Sequence, residues 1–147
     1  MVFSIKEVRE GILLKSSGKT AEEAFADGAK ALFSAEVPLK NIASKSEMFI
    51  HCSALSVKYL FAEWLNTLLA DSEMENMLFS DFEVKGIKKL KKRFFVDAIA
   101  KGEFINPVKH AMKKRLKCVS QKKLLHEKSA KTGKHSFQCI VETIKQV

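Results

Sequence analysis

The residues most suited to chemistry in this sequence are a run of cations at residues 86–94, GIKKLKKRF. The run holds five positively charged side chains: Lys88, Lys89, Lys91, Lys92 and Arg93. An array of this kind suits phosphate groups, because each phosphate that a cation neutralises releases condensed counterions. The same composition is also typical of the solvated turn of a β-hairpin. The run therefore predicts either a contact for RNA or an exposed connection with no ligand.

Two more basic clusters follow in the second half of the chain. They comprise Lys113, Lys114, Arg115 and Lys117, and then Lys122 and Lys123. Alternate side chains of a strand share one face, so Lys113, Arg115 and Lys117 would form a stripe on a single strand. Proteins that bind single-stranded RNA also need aromatic side chains between the charges. Phe94 and Phe95 follow the first run, but their strand is a candidate for the core, so an anionic partner and a solvated surface are equally favoured.

No catalytic motif accompanies these charges. The chain lacks a G-x-S-x-G sequence, a glycine-rich phosphate loop and an H-E-x-x-H sequence. The histidines are scattered and are predicted to be ordinary strand or loop residues: His51, His110, His126 and His135. The cysteines form no C-x-x-C pair and are predicted to be buried, reduced thiols: Cys52, Cys118 and Cys139. We therefore expect no catalytic residues and no enzymatic activity.

The charges of the chain are unevenly distributed. Residues 1–84 carry 8 Lys/Arg and 13 Asp/Glu, a net charge of −5, whereas residues 85–134 carry 17 and 3, a net charge of +14. The remaining residues are neutral together, which leaves +9 overall. Such a field steers anionic partners, although it also raises solubility. An acidic cluster fits a solvated face as well as a cation site: Glu73, Glu75, Asp81 and Glu83.

Hydrophobic periodicity predicts the elements that position these side chains. A strand at residues 12–16 precedes a turn at 16–18, and a capping box of Thr20 and Glu23 begins a helix that ends before Pro38. A second helix, from about residue 54 to 71, buries Trp64. The other predicted strands are residues 47–53, 79–85, 93–101, 116–120 and 137–144. The basic run connects two of these strands as a hairpin.

This order of elements predicts an α+β fold, with two helices packed on one face of a mixed, mostly antiparallel β-sheet. Length, with no internal repeat or linker, predicts a single domain over residues 1–147. No segment approaches the ~20 apolar residues of a membrane span. The N-terminus has no apolar core of a signal peptide, so we expect a cytoplasmic protein without membrane contact.

Four phrases, in order along most of the chain, resemble the archease family. Residues 18–33 read GKTAEEAFADGAKALF, close to the family pattern G-K-T-x-E-E-A-F-x-x-A-A-x-A-L-F. Residues 63–69 read EWLNTLL and residues 77–84 read MLFSDFEV, close to E-W-L-N-x-L-L and L-x-F-S-x-F-x-V. Residues 102–110 read GEFINPVKH, which resembles G-E-x-x-D-P-x-K-H with Asn106 in place of the Asp.

The resemblance implies a helper protein rather than an enzyme. Archease assists the RNA-splicing ligase that joins tRNA halves or repaired RNA ends, promotes guanylylation of the ligase and lets it turn over many times. The family fold is a mixed sheet with two helices. The resemblance also implies a divalent cation, typically calcium, between an N-terminal D-H-T-A-D-I-G motif and a C-terminal D-I pair.

The residues at the implied metal site differ from the family pattern. Without gaps, the N-terminal motif falls on residues 7–13, EVREGIL, which places Gly11 at a ligand Asp, and the D-I pair falls on Thr143 and Ile144. A T-Y-H-G turn of the family falls on residues 120–123. The acids left nearby are Glu7, Glu10 and Glu142. Calcium requires about six to eight oxygen ligands, including carboxylates, so a lost or weakened site is favoured over a rebuilt one.

The sequence thus predicts an archease-like cofactor that contacts an RNA-splicing ligase. The alternative is a basic RNA-binding module that keeps the archease scaffold without metal-dependent activation of a ligase. A hydrolase is disfavoured, because no nucleophile and base are paired in the sequence.

Overall fold

Seven strands form two sheets in the computed structural model, which describes residues 2–144. The strands are β1 (Phe3–Val8), β2 (Gly11–Gly18), β3 (Ser46–Ala54), β4 (Met77–Leu90), β5 (Arg93–Phe104), β6 (Leu116–Lys128) and β7 (His135–Thr143). One sheet has the order β1-β2-β7-β6, and the other has the order β3-β5-β4. The strands within each sheet are antiparallel.

Two α-helices, α1 (Ala21–Glu36) and α2 (Val57–Glu75), contact both sheets. Helix α1 contacts β2 and β4, and helix α2 contacts β6 and β3, so the hydrophobic core joins the two sheets through the helices. The predicted α+β class with two helices is confirmed. The expected single mixed sheet is replaced by two antiparallel sheets, because hairpins connect β1 to β2, β4 to β5 and β6 to β7.

Helix α1 begins and ends where its sequence signals predict. The hydroxyl of Thr20 accepts a hydrogen bond of 3.1 Å from the backbone N–H of Glu23. The carboxylate of Glu23 accepts in return from the N–H of Lys19, at 2.9 Å. Val37 is already extended, as the residue before a proline prefers.

Helix α2 begins at Val57, three residues later than predicted, because the side chain of Ser56 caps it by accepting from the N–H of Tyr59. It ends at Asn76, whose left-handed backbone stops the helix. Trp64 is fully buried, as predicted, and its indole N–H donates to the carbonyl of Phe25 at 2.9 Å. Neither helix of the described residues has the length and apolarity to cross a membrane.

Several strands extend beyond their predicted limits. Strand β1 was not predicted, because its sequence FSIKEV is mostly exposed and is held at the sheet edge by backbone hydrogen bonds to β2. Strand β2 continues to Gly18, through the residues predicted to turn. Strand β6 continues to Lys128 past an irregularity between Ser120 and Leu125. Backbone pairing with a neighbour thus extends strands through polar sequence that carries no hydrophobic pattern.

Candidate functional site

The first basic run lies at the tip of the β4–β5 hairpin. Only Lys91 and Lys92 form the turn, and Lys91 has a left-handed backbone with φ of 56°. Lys88 and Lys89 belong to the end of β4, and Arg93 begins β5. The predicted hairpin is therefore correct, but most of the run is paired strand rather than loop. We call these five exposed cations the basic hairpin: Lys88, Lys89, Lys91, Lys92 and Arg93.

The side chains of the basic hairpin have few partners within the protein. None of them takes part in an ion pair in the described part of the chain. The Lys89 ammonium lies 5.5 Å from the centre of the Phe94 ring. Arg93 donates to the hydroxyl of Ser53 at 3.2 Å. The cations are therefore available to an anionic ligand.

The second basic cluster does not form the expected stripe on a strand. Lys113 and Arg115 precede β6, and only Lys117 lies in it. The backbone N–H groups of Lys113 and Leu116 bond instead to the carbonyl and carboxylate of Glu36, at 2.7 and 3.0 Å. These tertiary bonds hold the segment in an irregular conformation, so strand alternation does not apply to it.

The third basic cluster lies in the irregular part of β6. Lys122 and Lys123 are exposed, and Lys123 has a left-handed backbone with φ of 59°. Its carbonyl accepts a long bond of 3.5 Å from the side chain of Gln138. This bulge includes residues 120–123, on which the resemblance placed a T-Y-H-G turn. It directs Lys122 and Lys123 to solvent. In the sequence, these two lysines are separate from the other basic clusters.

The candidate metal ligands have other partners or none. Glu7 is ion-paired with Lys114, whose ammonium lowers the pKa of the carboxyl group. Glu10 is exposed in the turn between β1 and β2. Glu142 lies opposite Gly11 in the β2–β7 register and accepts a weak bond from the Cys118 thiol at 3.8 Å. Among residues 2–144, no three His, Cys, Asp or Glu side chains are grouped to hold a metal.

The backbone around Gly11 also does not fit the family's acidic ligand. A Cβ atom at Gly11 would lie 2.1 Å from the carbonyl oxygen of Val141, so a side chain there would require the strands to shift. A surface cleft of about 180 Å³ beside Thr143 and Ile144 is lined by three cations: Lys113, Lys114 and Arg115. A calcium ion needs carboxylate oxygens as ligands, whereas this cleft presents cations, so it does not fit a calcium site of the usual kind.

A polar network that spacing alone did not identify surrounds Glu103. Its carboxylate, 8% exposed, accepts from the backbone N–H of Ala43 at 2.6 Å and from the ammonium of Lys109 at 2.7 Å. His110 lies 3.0 Å from the same oxygen, and Lys45 lies 3.8 Å from the other. The bonds from Ala43 and Lys109 lower the pKa of Glu103 to about 2. The network fastens the segment after β5 to the segment before β3.

The network accounts for the phrase GEFINPVKH. The N–H of Asn106 donates to Nδ1 of His110 at 2.9 Å, so Nε2 carries the proton that His110 donates to Glu103. The Asn106 side chain accepts from the N–H groups of Val108 and Lys109 at 2.9 and 3.3 Å. The Asn106 oxygen accepts these bonds as an aspartate oxygen would, so either residue supports this turn.

The other histidines and the cysteines do not form a catalytic group. The rings of His126 and His135 are nearly parallel, with Nε2 and Nδ1 separated by 3.0 Å, and burial lowers the pKa of both. Burial raises the pKa of the Cys52 and Cys139 thiols to about 12, so both are protonated at neutral pH. All three cysteines of the described chain are free.

Comparison with known proteins gives one consistent result. The model of the archease protein family (MTH1598/TM1083) matches residues 11–142. An archease from Methanosarcina mazei is 27% identical over 125 residues, which cover 85% of this chain and 84% of the relative. An archease from Methanopyrus kandleri is 33% identical over 101 residues, which cover 69% of this chain and 71% of the relative.

A solved structure supports the fold. The solution structure of protein 1598 from Methanobacterium thermoautotrophicum matches with a TM-score of 0.80 and covers 95% of this chain and 97% of that one. Sequence identity between the two is 24%, so this likeness concerns the fold.

Proposed function

Because the chain belongs to the archease family, we propose that it assists an RNA-splicing ligase, promoting guanylylation of the ligase and allowing each ligase molecule to act repeatedly. In this role the protein is a partner of the enzyme and performs no covalent chemistry. The observation that carries the proposal is the family match from residue 11 to residue 142. A cytoplasmic location, where reduced cysteines persist, is part of the proposal.

The intact scaffold supports this proposal. The residues of the family phrases form capped helix α1, helix α2 with its buried Trp64, and the network around Glu103. At the positions of the implied calcium site, Gly11 has no side chain and Thr143 lines a cleft with three cations. We therefore propose that the protein acts on the ligase through protein contact, without a calcium ion at those positions.

The test is a ligation assay with limiting ligase, GTP and RNA halves. We expect added protein to raise the number of joined products per ligase molecule above one and to accelerate guanylylation. A mixture without ligase should join nothing, which controls for activity of the protein itself. Unchanged guanylylation and a single turnover per ligase molecule, at saturating protein, would reject the helper role.

The second candidate function is direct RNA binding, and the unpaired basic hairpin favours it. If these cations contact phosphates, the affinity for RNA should fall steeply as salt concentration rises. Charge reversal at Lys88, Lys89, Lys91 and Lys92 should make that dependence shallower. Reversal at Lys6 and Lys15, which are exposed on the other sheet, should leave that dependence unchanged. If the wild type and the two charge-reversed variants showed the same salt dependence, the basic hairpin would be a solvated turn that does not contact RNA.

A further inference from the structure

The three-stranded sheet β3-β5-β4 has one face that no helix covers. Its inner face carries the core residues Val96, Ala98 and Ala100 of β5. The intervening residues of β5 point the other way, because side chains alternate along a strand. We call this second surface the open face, and it carries Phe95, Asp97, Ile99 and Lys101 from β5. All four are partly exposed, whereas the core residues are buried.

Register places aromatic side chains of β3 beside those of β5 on the open face. His51 pairs with Asp97 and Phe49 pairs with Ile99, and directly paired residues share a face. The rings of His51 and Phe95 lie 6.0 Å apart at 26°, a stacked arrangement. Phe49 is 63% exposed, which is unusual for a large apolar side chain. The open face thus presents three flat rings to solvent.

The basic hairpin adjoins these rings. Lys88 pairs with Phe95 across β4 and β5, and Ser53, which pairs with Phe95 from β3, accepts from Arg93. The carboxylate of Asp97, in the middle of the face, lies 2.5 Å from Nδ1 of His51. The other acids lie at the end distant from the hairpin: Glu47, Asp81 and Glu83.

We propose that the open face binds single-stranded RNA, with bases stacked on Phe95, His51 and Phe49 and phosphates at the basic hairpin. Exposed aromatic rings on an antiparallel sheet, with cations beside them, are elements that single-strand recognition uses. This inference rests on the second candidate function and names its surface; the ligase-helper role does not depend on it. A duplex hides the faces of its bases, so the rings favour single strands over duplexes.

The experiment measures binding of a fluorescent oligouridine of about 12 nucleotides, within the usual site size, by anisotropy at low salt. We expect Phe95→Leu, which keeps an apolar side chain, and Phe49→Ala to weaken binding by about 5- to 150-fold each, the usual value of a stacked base. Phe49 is exposed, so its replacement leaves the fold intact. Tyr59→Ala is the matched control, since Tyr59 is 44% exposed on α2.

Reversal of Lys91 and Lys92 to glutamate should also weaken binding and reduce the salt slope by about 0.7 for each lost phosphate contact. Lys6 and Lys15 reversed in the same way should bind as the wild type does. An oligouridine of the same length annealed to oligoadenine should bind more weakly than the single strand.

Each of five results would overturn the proposal. If Phe95→Leu and Phe49→Ala bind with wild-type affinity while reversal of Lys91 and Lys92 weakens binding, RNA contacts the basic hairpin and not the open face. Equal losses in Phe49→Ala and Tyr59→Ala, or equal affinity for duplex, would remove the stacking argument. Absence of oligouridine binding by the wild type would reject this proposal and the second candidate. Loss of ligase stimulation in Phe49→Ala with normal RNA binding would assign the face to the ligase.

Discussion

Two buried glutamates, Glu103 and Glu36, have carboxyl groups in opposite environments. Glu103 is surrounded by donors, which stabilise its carboxylate and lower its pKa. Glu36 is buried and has one backbone donor, the N–H of Leu116. Burial raises the pKa of its carboxyl group to about 7, because this effect is larger than the lowering by the Leu116 bond and by the charge of Arg115. Two glutamates of one fold therefore make stability depend on pH in opposite directions.

Replacement of Glu36 by glutamine should remove a pH dependence of stability. The folded protein holds a proton on Glu36 at pH values where the unfolded chain has lost it, between 4.5 and about 7. The stability associated with this proton is present below pH 4.5 and is lost as pH rises through about 7. Its size is roughly 3 kcal/mol, from the shift in pKa.

Urea denaturation at pH 5 and pH 8 measures this effect. Glu36→Gln should be more stable than the wild type at pH 8 and similar to it at pH 5, since glutamine accepts from Leu116 without a charge. Glu10→Gln, at an exposed turn, is the matched control and should follow the wild type. If the difference in free energy of unfolding between the wild type and Glu36→Gln were the same at pH 5 and pH 8, this prediction would be wrong.

Trp64 provides a prediction about packing. Its ring is fully buried and stacks on Phe25, whose carbonyl accepts its N–H. Trp64→Ala should lower the free energy of unfolding by about 3–5 kcal/mol, as large-to-small changes in a core do. Thermal or urea denaturation measures the loss, and Tyr59→Ala on the same helix should cost far less. A loss below ~0.5 kcal/mol for Trp64→Ala would contradict its place in the core.

At the scale of elements, the segment between β5 and β6 has no regular structure and depends on side chains for its position. Glu103 attaches it to the loop before β3, and Glu36 of α1 attaches its end through Lys113 and Leu116. The same segment contributes Lys114 to the ion pair with Glu7 of β1. Its order therefore comes from tertiary bonds rather than from local pattern.

Glu103→Gln should loosen this segment. A neutral amide loses the charge that attracts Lys109 and Lys45, so the variant should be less stable at pH 7. Because the folded pKa of Glu103 is depressed, its contribution is present above pH 4.5 and is lost as pH falls through about 2. Hydrogen exchange at the Ala43 amide should accelerate in the variant at pH 7. Equal exchange in the two proteins would show that the carboxylate does not hold the loop.

Across the whole molecule, acidic and basic residues are concentrated in different parts of the chain. The two helices are acidic, and the half of the sequence that holds the basic hairpin and the β5–β6 segment is strongly basic. Lys113, Lys114 and Arg115 line the cleft beside Thr143 and Ile144, where the resemblance placed the metal site. The distribution favours anionic partners and disfavours a calcium ion.

Calcium titration by calorimetry tests this view of the molecule. We expect no binding at micromolar calcium, because Glu7 is paired with Lys114 and Gly11 offers no ligand. An absence of heat up to millimolar calcium would agree with this prediction. Micromolar binding that Glu10→Gln or Glu142→Gln abolishes would show instead that these acids rebuild a site.

Features that depend on neighbours along the chain could be predicted from the sequence. Capping at Thr20, the end of α1 before Pro38, the burial of Trp64 and the β4–β5 hairpin all follow from local patterns, and the structure confirms them. The phrases that resemble archease also identified the family, which the comparisons confirm. Local signals suffice here because a few successive residues set helix ends and amphipathic faces.

Features that join distant residues depend on tertiary packing and could not be predicted from local sequence. Alternation in β5 predicts two faces, but packing of the helices determines that Val96 is buried while Phe95 is partly exposed. The bonds of Glu103 to Ala43, and of Glu36 to Leu116, connect residues far apart in sequence. Strand register brought His51 beside Phe95, and a shift of one residue would have placed it on the other face.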